Sequence, residues 1–327
     1  MAQTSSEIIS AHLANAVDLD TLSGIADRAS EFAHDSKAAN TVRAYRADWS
    51  HFVEWCTGHQ QVTLPASPDT VALYIADLAA THKPSTLTRR ISAISQAHQI
   101  AGFESPVHAA KVRAVMAGIR RSKGTAAEAK TPVLVEDLKR MLTHVPEGLL
   151  GVRDRALLLV GFAGAFRRSE LVGLDHGDVE FARDGLVVRI RKSKTDQDGE
   201  GRKIGIPYGS NPITCPIRSL QDWLEKSGLT EGALFRPINR HGKMAEARLS
   251  SAAVADVVKR YAGAVGLHVA EFAGHSLRAG LATSAAMAGA SERAIMNQTG
   301  HRSVVMVRRY IREGSLFREN AASVLGL

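Results

Sequence analysis

The sequence predicts a mainly α-helical chain with one small β-sheet, split into an all-α N-terminal domain and a mixed α/β C-terminal domain. Three observations carry this. Apolar residues recur at three- and four-residue spacing through the first 120 positions, a polar segment ending at Pro132 interrupts them, and an alternating stretch beyond it surrounds an Asp184-Gly185 turn. The 327 residues, 45% of them hydrophobic, suffice for two domains with separate cores.

In the first domain, Asn40 can cap a helix that turns Val42, Tyr45, Trp49, Phe52, Val53 and Cys56 to one side. Ser67 followed by Pro68 is a second helix start, with Val71, Tyr74, Ile75 and Leu78 inward. A third helix begins at Ser85, buries Leu87, Ile91 and Ile94, and stops at Gly102, with Arg89 and Arg90 on its other face. A fourth runs from about Val107 to Arg121 through Val112, Val115, Met116 and Ile119. The stretch 122–132 lacks a strong apolar residue and ends in proline, which marks a linker. The expected division is therefore a domain at 1–124, a linker at 125–132 and a second domain at 133–327. That second domain should hold helices near 136–143 and 153–164, strands at Leu186–Ile190 and Arg202–Pro207 around a polar loop, and further helices from Cys215 onward, starting at Ser250 and Ser291.

Charge is unevenly distributed. The net formal charge is +8, yet residues 1–80 carry −6, residues 81–124 carry +7 and residues 125–327 carry +7. A concentrated basic stretch suits a polyanion, although charge alone also fits a solvated surface. Arg43, Lys83, Arg89, Arg90, Arg120, Arg121 and Lys123, joined by Arg202 from the second domain, are the candidate phosphate contacts. The two cysteines, Cys56 and Cys215, form no CxxC pair, so neither a disulfide framework nor a zinc site is expected and a reducing cytoplasm fits. Glu7, Asp18 and Asp20 argue against a signal peptide, and the longest apolar run, Ala156 to Phe166, is too short to cross a membrane.

Four short motifs follow one another in the second domain: Phe166-Arg-Arg-Ser-Glu-Leu171, Arg191-Lys-Ser-Lys-Thr195, His275-Ser-Leu-Arg278, and Gly300-His301 with Tyr310 nine residues further on. Singly each is weak, and the specificity lies in their order and spacing. Together they resemble the tyrosine recombinase, or phage integrase, family, and from Ala273 onward the segments are similar to those of Cre-like members. The helix Leu87-Thr-Arg-Arg-Ile-Ser-Ala-Ile94 extends the resemblance into the first domain. His301 follows the broader family pattern, where Cre-like members carry Trp. The doubled Arg167-Arg168 leaves a choice of register, and Arg167 is preferred because Glu170 and Leu171 then fall on the family pattern.

The resemblance implies an all-α core-binding domain and a catalytic domain that cuts and rejoins duplex DNA through a 3′-phosphotyrosyl link to Tyr310. The residue chemistry agrees. Arg167 and Arg278 can clamp the scissile phosphate, because a guanidinium stays charged and offers a planar fork to its oxygens. His301 can add a third donor. A phenol is a poor nucleophile until a base takes its proton, and His275 is the candidate base. Lys194 on the hairpin is the candidate acid for the leaving 5′ oxygen, with Lys192 and Lys203 as rivals. Glu170 would orient one of these groups. Since one phosphate ester is exchanged for another, no metal, nucleotide or other cofactor is expected.

The implied partners are double-stranded DNA with paired inverted-repeat sites and further copies of the chain, a homotetramer on two sites, working in the cytoplasm on prokaryotic, plasmid or phage DNA. Ser315 can cap a short segment whose Leu316, Phe317, Ala321, Val324 and Leu325 would dock on a neighbouring subunit. A type IB topoisomerase-like relaxase, a DNA-binding protein without catalysis and a metal-dependent nuclease are the alternative readings.

Overall fold

The computed structural model describes residues 39–124, 130–191, 201–301, 303–314 and 325. It falls into two units, Met1–Ala127 and Glu128–Leu327. The chain is mainly helical, with a three-stranded sheet in the second unit. Among the described residues no helix is long and apolar enough to cross a membrane. Residues 125–129 of the expected linker, the expected polar loop at 192–200 and most of the C-terminal segment lie outside the described residues.

The first unit is built from α1 (Ala39–Gly58), α2 (Pro68–Leu78), α3 (Pro84–Ile100) and α4 (Ala110–Lys123). α2 starts where its composition directs: Ser67 Oγ accepts the Thr70 N–H at 3.0 Å and Pro68 fills the first helical position. Just beyond α3 and α4 the chain turns through Gly102 and Gly124, at φ of 77° and 73°. Two starts differ from expectation. α1 already includes Ala39, so Asn40 lies inside it and accepts from Arg43 Nη1 at 3.0 Å, and α3 begins one residue early because Pro84 is itself a good first helical residue. Phe52, Cys56, Val71, Tyr74, Ile75, Leu87, Ile94, Val112 and Met116 form the core. Each large apolar side chain buried there contributes about 1.5–3 kcal/mol.

Against that core sits a polar knot. Arg90 donates through Nη1 to the Tyr74 hydroxyl at 2.7 Å, and the same hydroxyl lies 3.0 Å from His51 Nδ1. Asp48, itself buried, accepts from Nε and Nη2 of Arg89 at 2.7 and 3.0 Å. Arg90 is therefore not on the basic face with Arg89, and the expectation of both there is corrected. Position 90 shares the i+3 and i+4 stripe of Leu87 and Ile94, so helical geometry turns it inward. Lys83, Arg89, Arg120, Arg121 and Lys123 remain exposed, as does Arg43 on α1. Arg120 Nη2 reaches Thr88 Oγ1 at 3.3 Å and Lys123 Nζ reaches the Ala80 carbonyl at 3.3 Å, which joins the end of α4 to α3 and the turn before it in one basic surface.

The second unit contains α5 (Val135–Leu142), α6 (Leu149–Ala163), α7 (Arg168–Gly173), strands β1 (Val179–Ala182), β2 (Gly185–Ile190) and β3 (Arg202–Pro207), then α8 (Pro216–Ser227), α9 (Ser251–Ala264), α10 (Ser276–Met287), α11 (Glu292–Thr299) and α12 (Val304–Gly314). The apolar run from Ala156 makes α6 a central helix, since a helix that is apolar all round must be covered all round. Trp223 of α8 and Val254, Val257, Val258 and Tyr261 of α9 complete the same core.

The sheet is antiparallel in the order β1-β2-β3, with Val188 opposite Ile204 and Ile190 opposite Arg202. Leu186, Val188, Ile190, Ile204 and Ile206 face the core. Alternation along β3 then puts Arg202 on the inward face and Lys203 on the outward one, exposed and opposite Arg189.

Candidate active site

The site is assembled on the turn that follows α6. Ala165 adopts φ of 48°, an uncommon value for a residue with a Cβ, and so directs its carbonyl to Arg278 Nη1 at 2.7 Å. Phe166 is buried directly after it, and Arg167 is the N-cap residue of α7. Gln298 of α11 closes the turn by donating to the Ala163 carbonyl at 2.7 Å and the Gly205 carbonyl at 3.2 Å.

Glu170 is the anion around which the cations gather. Its Oε2 accepts the Arg167 N–H at 2.9 Å and its Oε1 accepts Arg167 Nη1 at 2.5 Å. Arg202 Nη2 approaches the same carboxylate at 3.4 Å, while its Nη1 donates to the Gln298 carbonyl at 3.3 Å. Burial lowers the pKa of Arg202, Arg167 adds to that, and Glu170 opposes it. Gly300 ends α11 at φ of 65°, a conformation that favours glycine, and a Cβ on it would stand 2.4 Å from Arg202 Nη1 and displace that guanidinium. Arg168 points elsewhere, exposed and laid over Gly274, where a Cβ would stand 1.9 Å from its Cδ.

Arg278, on the first turn of α10, is fully buried. Its Nη2 lies 3.2 Å from His301 Nε2, and among the described residues its Nε has no hydrogen-bond partner. Burial first and Arg167 second bring its pKa down to about 10, which leaves it charged at neutral pH. His301 is held from its other side by Thr299 Oγ1, 2.8 Å from Nδ1. Burial and the charges of Arg278 and Arg167 push the imidazole down to about 4.

Tyr310 lies on α12, which docks on α10 and α11 through Val307 against Ala282, Ala286 and Ile295. The Tyr310 hydroxyl reaches 3.4 Å from Nε2 of the exposed His275, the N-cap residue of α10, and its ring stands 5.9 Å from that of His301. Tyr261, which unlike Tyr310 is buried, donates to the buried Asp154 at 2.8 Å and has its pKa raised by burial and by that carboxylate. It is a core residue.

Of the residues singled out by their motifs, Arg167, Glu170, His275, Arg278, His301 and Tyr310 come together, although they span three motifs and come from the starts of α7 and α10, the residue after the α11 cap, and α12. Lys194 and its rival Lys192 lie outside the described residues. Lys203 faces away from the cluster. Arg202, expected among the DNA contacts, belongs to this cluster. Its signal was available in the alternation of β3, which groups it with Ile204 and Ile206. Thr299, Gln298 and Ala165 were missed, because a hydroxyl, an amide and a turn carbonyl carry no motif of their own. Among the described residues no group of three or more His, Cys, Asp or Glu side chains is placed to hold a metal ion.

Residues 133–315 match the phage integrase family, and residues 32–104 match its N-terminal SAM-like domain. An integrase/recombinase, a XerD homologue from Selenomonas ruminantium, is 46% identical over 88% of this chain and 85% of its own. The Cre recombinase of Escherichia phage P1 is 24% identical, over 79% of each chain. The solved structure of the XerH site-specific recombinase bound to palindromic difH substrate superposes with a TM-score of 0.61 at 17% identity, covering 80% of this chain and 73% of that one. With its catalytic-domain match and its 46% identical relative, the chain belongs to the phage integrase family of tyrosine recombinases.

Proposed function

We propose that this protein is a site-specific DNA recombinase in which Tyr310 attacks a backbone phosphate of duplex DNA. The observation that carries the reading is the placement of the Tyr310 hydroxyl 3.4 Å from His275 Nε2, beside Arg278 and His301. His275 takes the phenolic proton as the tyrosine oxygen bonds to phosphorus. The bond from phosphorus to the 5′ oxygen breaks, and that oxygen receives a proton, in our reading from Lys194. Arg167 and Arg278 hold the non-bridging oxygens, where negative charge grows in the transition state. Glu170 and Arg202 position Arg167. Return attack by a foreign 5′ hydroxyl reverses the exchange and completes recombination without metal or nucleotide.

The basic surface of the first unit, with Lys83, Arg89, Arg120 and Lys123, suits contact with the phosphates flanking the cut. The working assembly would be a homotetramer on two inverted-repeat sites in the cytoplasm, with residues 315–327 packed between subunits. Tyr310→Phe tests the reading on a nicked suicide duplex. The variant should bind the duplex as the parent does and give no covalent protein–DNA adduct, whereas a retained adduct would reject Tyr310 as the nucleophile.

A further inference from the structure

We propose that Thr299 is a positioning residue of this site: it accepts a hydrogen bond from His301 Nδ1 and so fixes the imidazole as the tautomer whose Nε2 lone pair anchors Arg278. The inference rests on the recombinase reading only for its catalytic consequence. Its basis is a count of protons. Thr299 is fully buried, and its hydroxyl lies 2.7 Å from the Ile295 carbonyl of the preceding turn. A carbonyl can only accept, so the single hydroxyl proton goes there. Toward His301 Nδ1, at 2.8 Å, the same oxygen can then only accept, and Nδ1 must carry the ring proton. Arg278 Nη2 supplies the converse at the other nitrogen, since a guanidinium can only donate and Nε2, at 3.2 Å, must therefore accept. Each end of the chain Arg278–His301–Thr299–Ile295 demands the same tautomer.

The groups facing this ring favour its neutral form. Arg278 and His275 stand at the start of α10, Arg167 before α7 and Arg202 on β3, and with burial they hold the imidazole near 4. Tyr310 faces it from α12. A neutral His301 of this tautomer cannot donate from Nε2 to a phosphate oxygen. It acts through Arg278, whose other end is fixed on Ala165, so that the guanidinium plane is held at two points. The sequence-based expectation of His301 as a third phosphate donor is thereby recast: donation from Nε2 needs a second proton, taken from solvent once the negative phosphate beside the ring favours the imidazolium.

Nitrogen-15 NMR of the full-length protein without DNA tests this, with the His301 signals assigned by their loss in His301→Gln. At neutral pH, Nδ1 should resonate as a protonated pyrrole-type nitrogen and Nε2 as a pyridine-type one. The opposite pattern would overturn the proposal. Thr299→Val, which keeps the shape and removes the acceptor, should populate the Nε2–H tautomer and lower single-turnover cleavage about tenfold, the effect of one lost hydrogen bond. Thr299→Ser should restore both. A valine variant with the parental tautomer, or a serine variant as impaired as valine, would reject the role. Should the valine variant not fold, the parental spectrum and the serine variant still decide. A parent protein that cuts no duplex would count against the recombinase reading alone, because the tautomer is read without DNA.

Discussion

His275 Nε2 and the Tyr310 hydroxyl face one another at 3.4 Å within a single chain, with α12 seated on α10 behind them. That separation is longer than a strong hydrogen bond, as is common before substrate tightens a catalytic contact. If His275 is the base, His275→Gln should lower single-turnover cleavage by about 10²-fold or more. Part of the rate should return toward alkaline pH, where solvent removes the phenolic proton. A variant that cuts at the parental rate would assign the proton to another group.

Arg278 differs from a surface arginine in being fully buried with its two terminal nitrogens committed, one to the Ala165 carbonyl and one to His301. A lysine has one nitrogen and cannot span both contacts while also presenting a fork to phosphate. Arg278→Lys should therefore cut about 10²-fold more slowly in a single turnover, by analogy with loss of one oxyanion donor, and bind duplex almost unchanged. Arg167→Lys should behave alike, because the second guanidinium is held on Glu170 at 2.5 Å. Weaker binding with unaltered cleavage would move either arginine out of the transition state.

Most of the helical framework was legible because its signals are local. The stripe Leu87, Ile94 and the Ser67-Pro68 start each depend on residues within a turn or two, and so does the β1–β2 turn, which lies at Arg183-Asp184, one residue before the expected Asp184-Gly185, with Gly185 already paired to Ala182. The site was legible only as far as its motifs reached. The contacts that hold it in shape join distant positions, Gln298 to the Ala163 carbonyl and Arg202 to the Gln298 carbonyl, and neither leaves a pattern in sequence. Arg90 shows the complementary error. Its charge suggests a phosphate contact, where the period of its own helix points inward.

His301 gives the stability of the fold a pH dependence of definite sign. Its pKa of about 4 lies below the ordinary 6.5, so between those values the unfolded chain takes up a proton that the folded one does not. Its contribution to stability is present above about 6.5 and is lost as the pH falls toward 4. Urea unfolding of the parent and of His301→Gln at neutral and mildly acidic pH isolates this term. The parent should lose more stability than the variant on acidification. A parent that gains relative to the variant would mean that folding raises the imidazole pKa.

Arg89 and Arg90 are neighbours in sequence and opposites in structure, which makes them a paired test of the basic surface. The Arg89 side chain is 51% exposed and steadied by the buried Asp48, whereas the Arg90 side chain is 10% exposed and turned to Tyr74. Arg89→Ala should weaken duplex binding and reduce the slope of log affinity against log salt by about one, the signature of one lost phosphate contact. Arg90→Ala should leave that slope alone and cost about 2 kcal/mol of stability, since it strips a charged donor from Tyr74 and a cation from beside Asp48. Fluorescence anisotropy across a salt series and urea unfolding separate the two effects. An unchanged slope in Arg89→Ala would mean that Asp48 neutralises this arginine and that the DNA lies instead against Arg120 and Lys123. A reduced slope in a folded Arg90→Ala would show that the knot at Tyr74 opens when DNA binds, releasing the buried guanidinium to the phosphates.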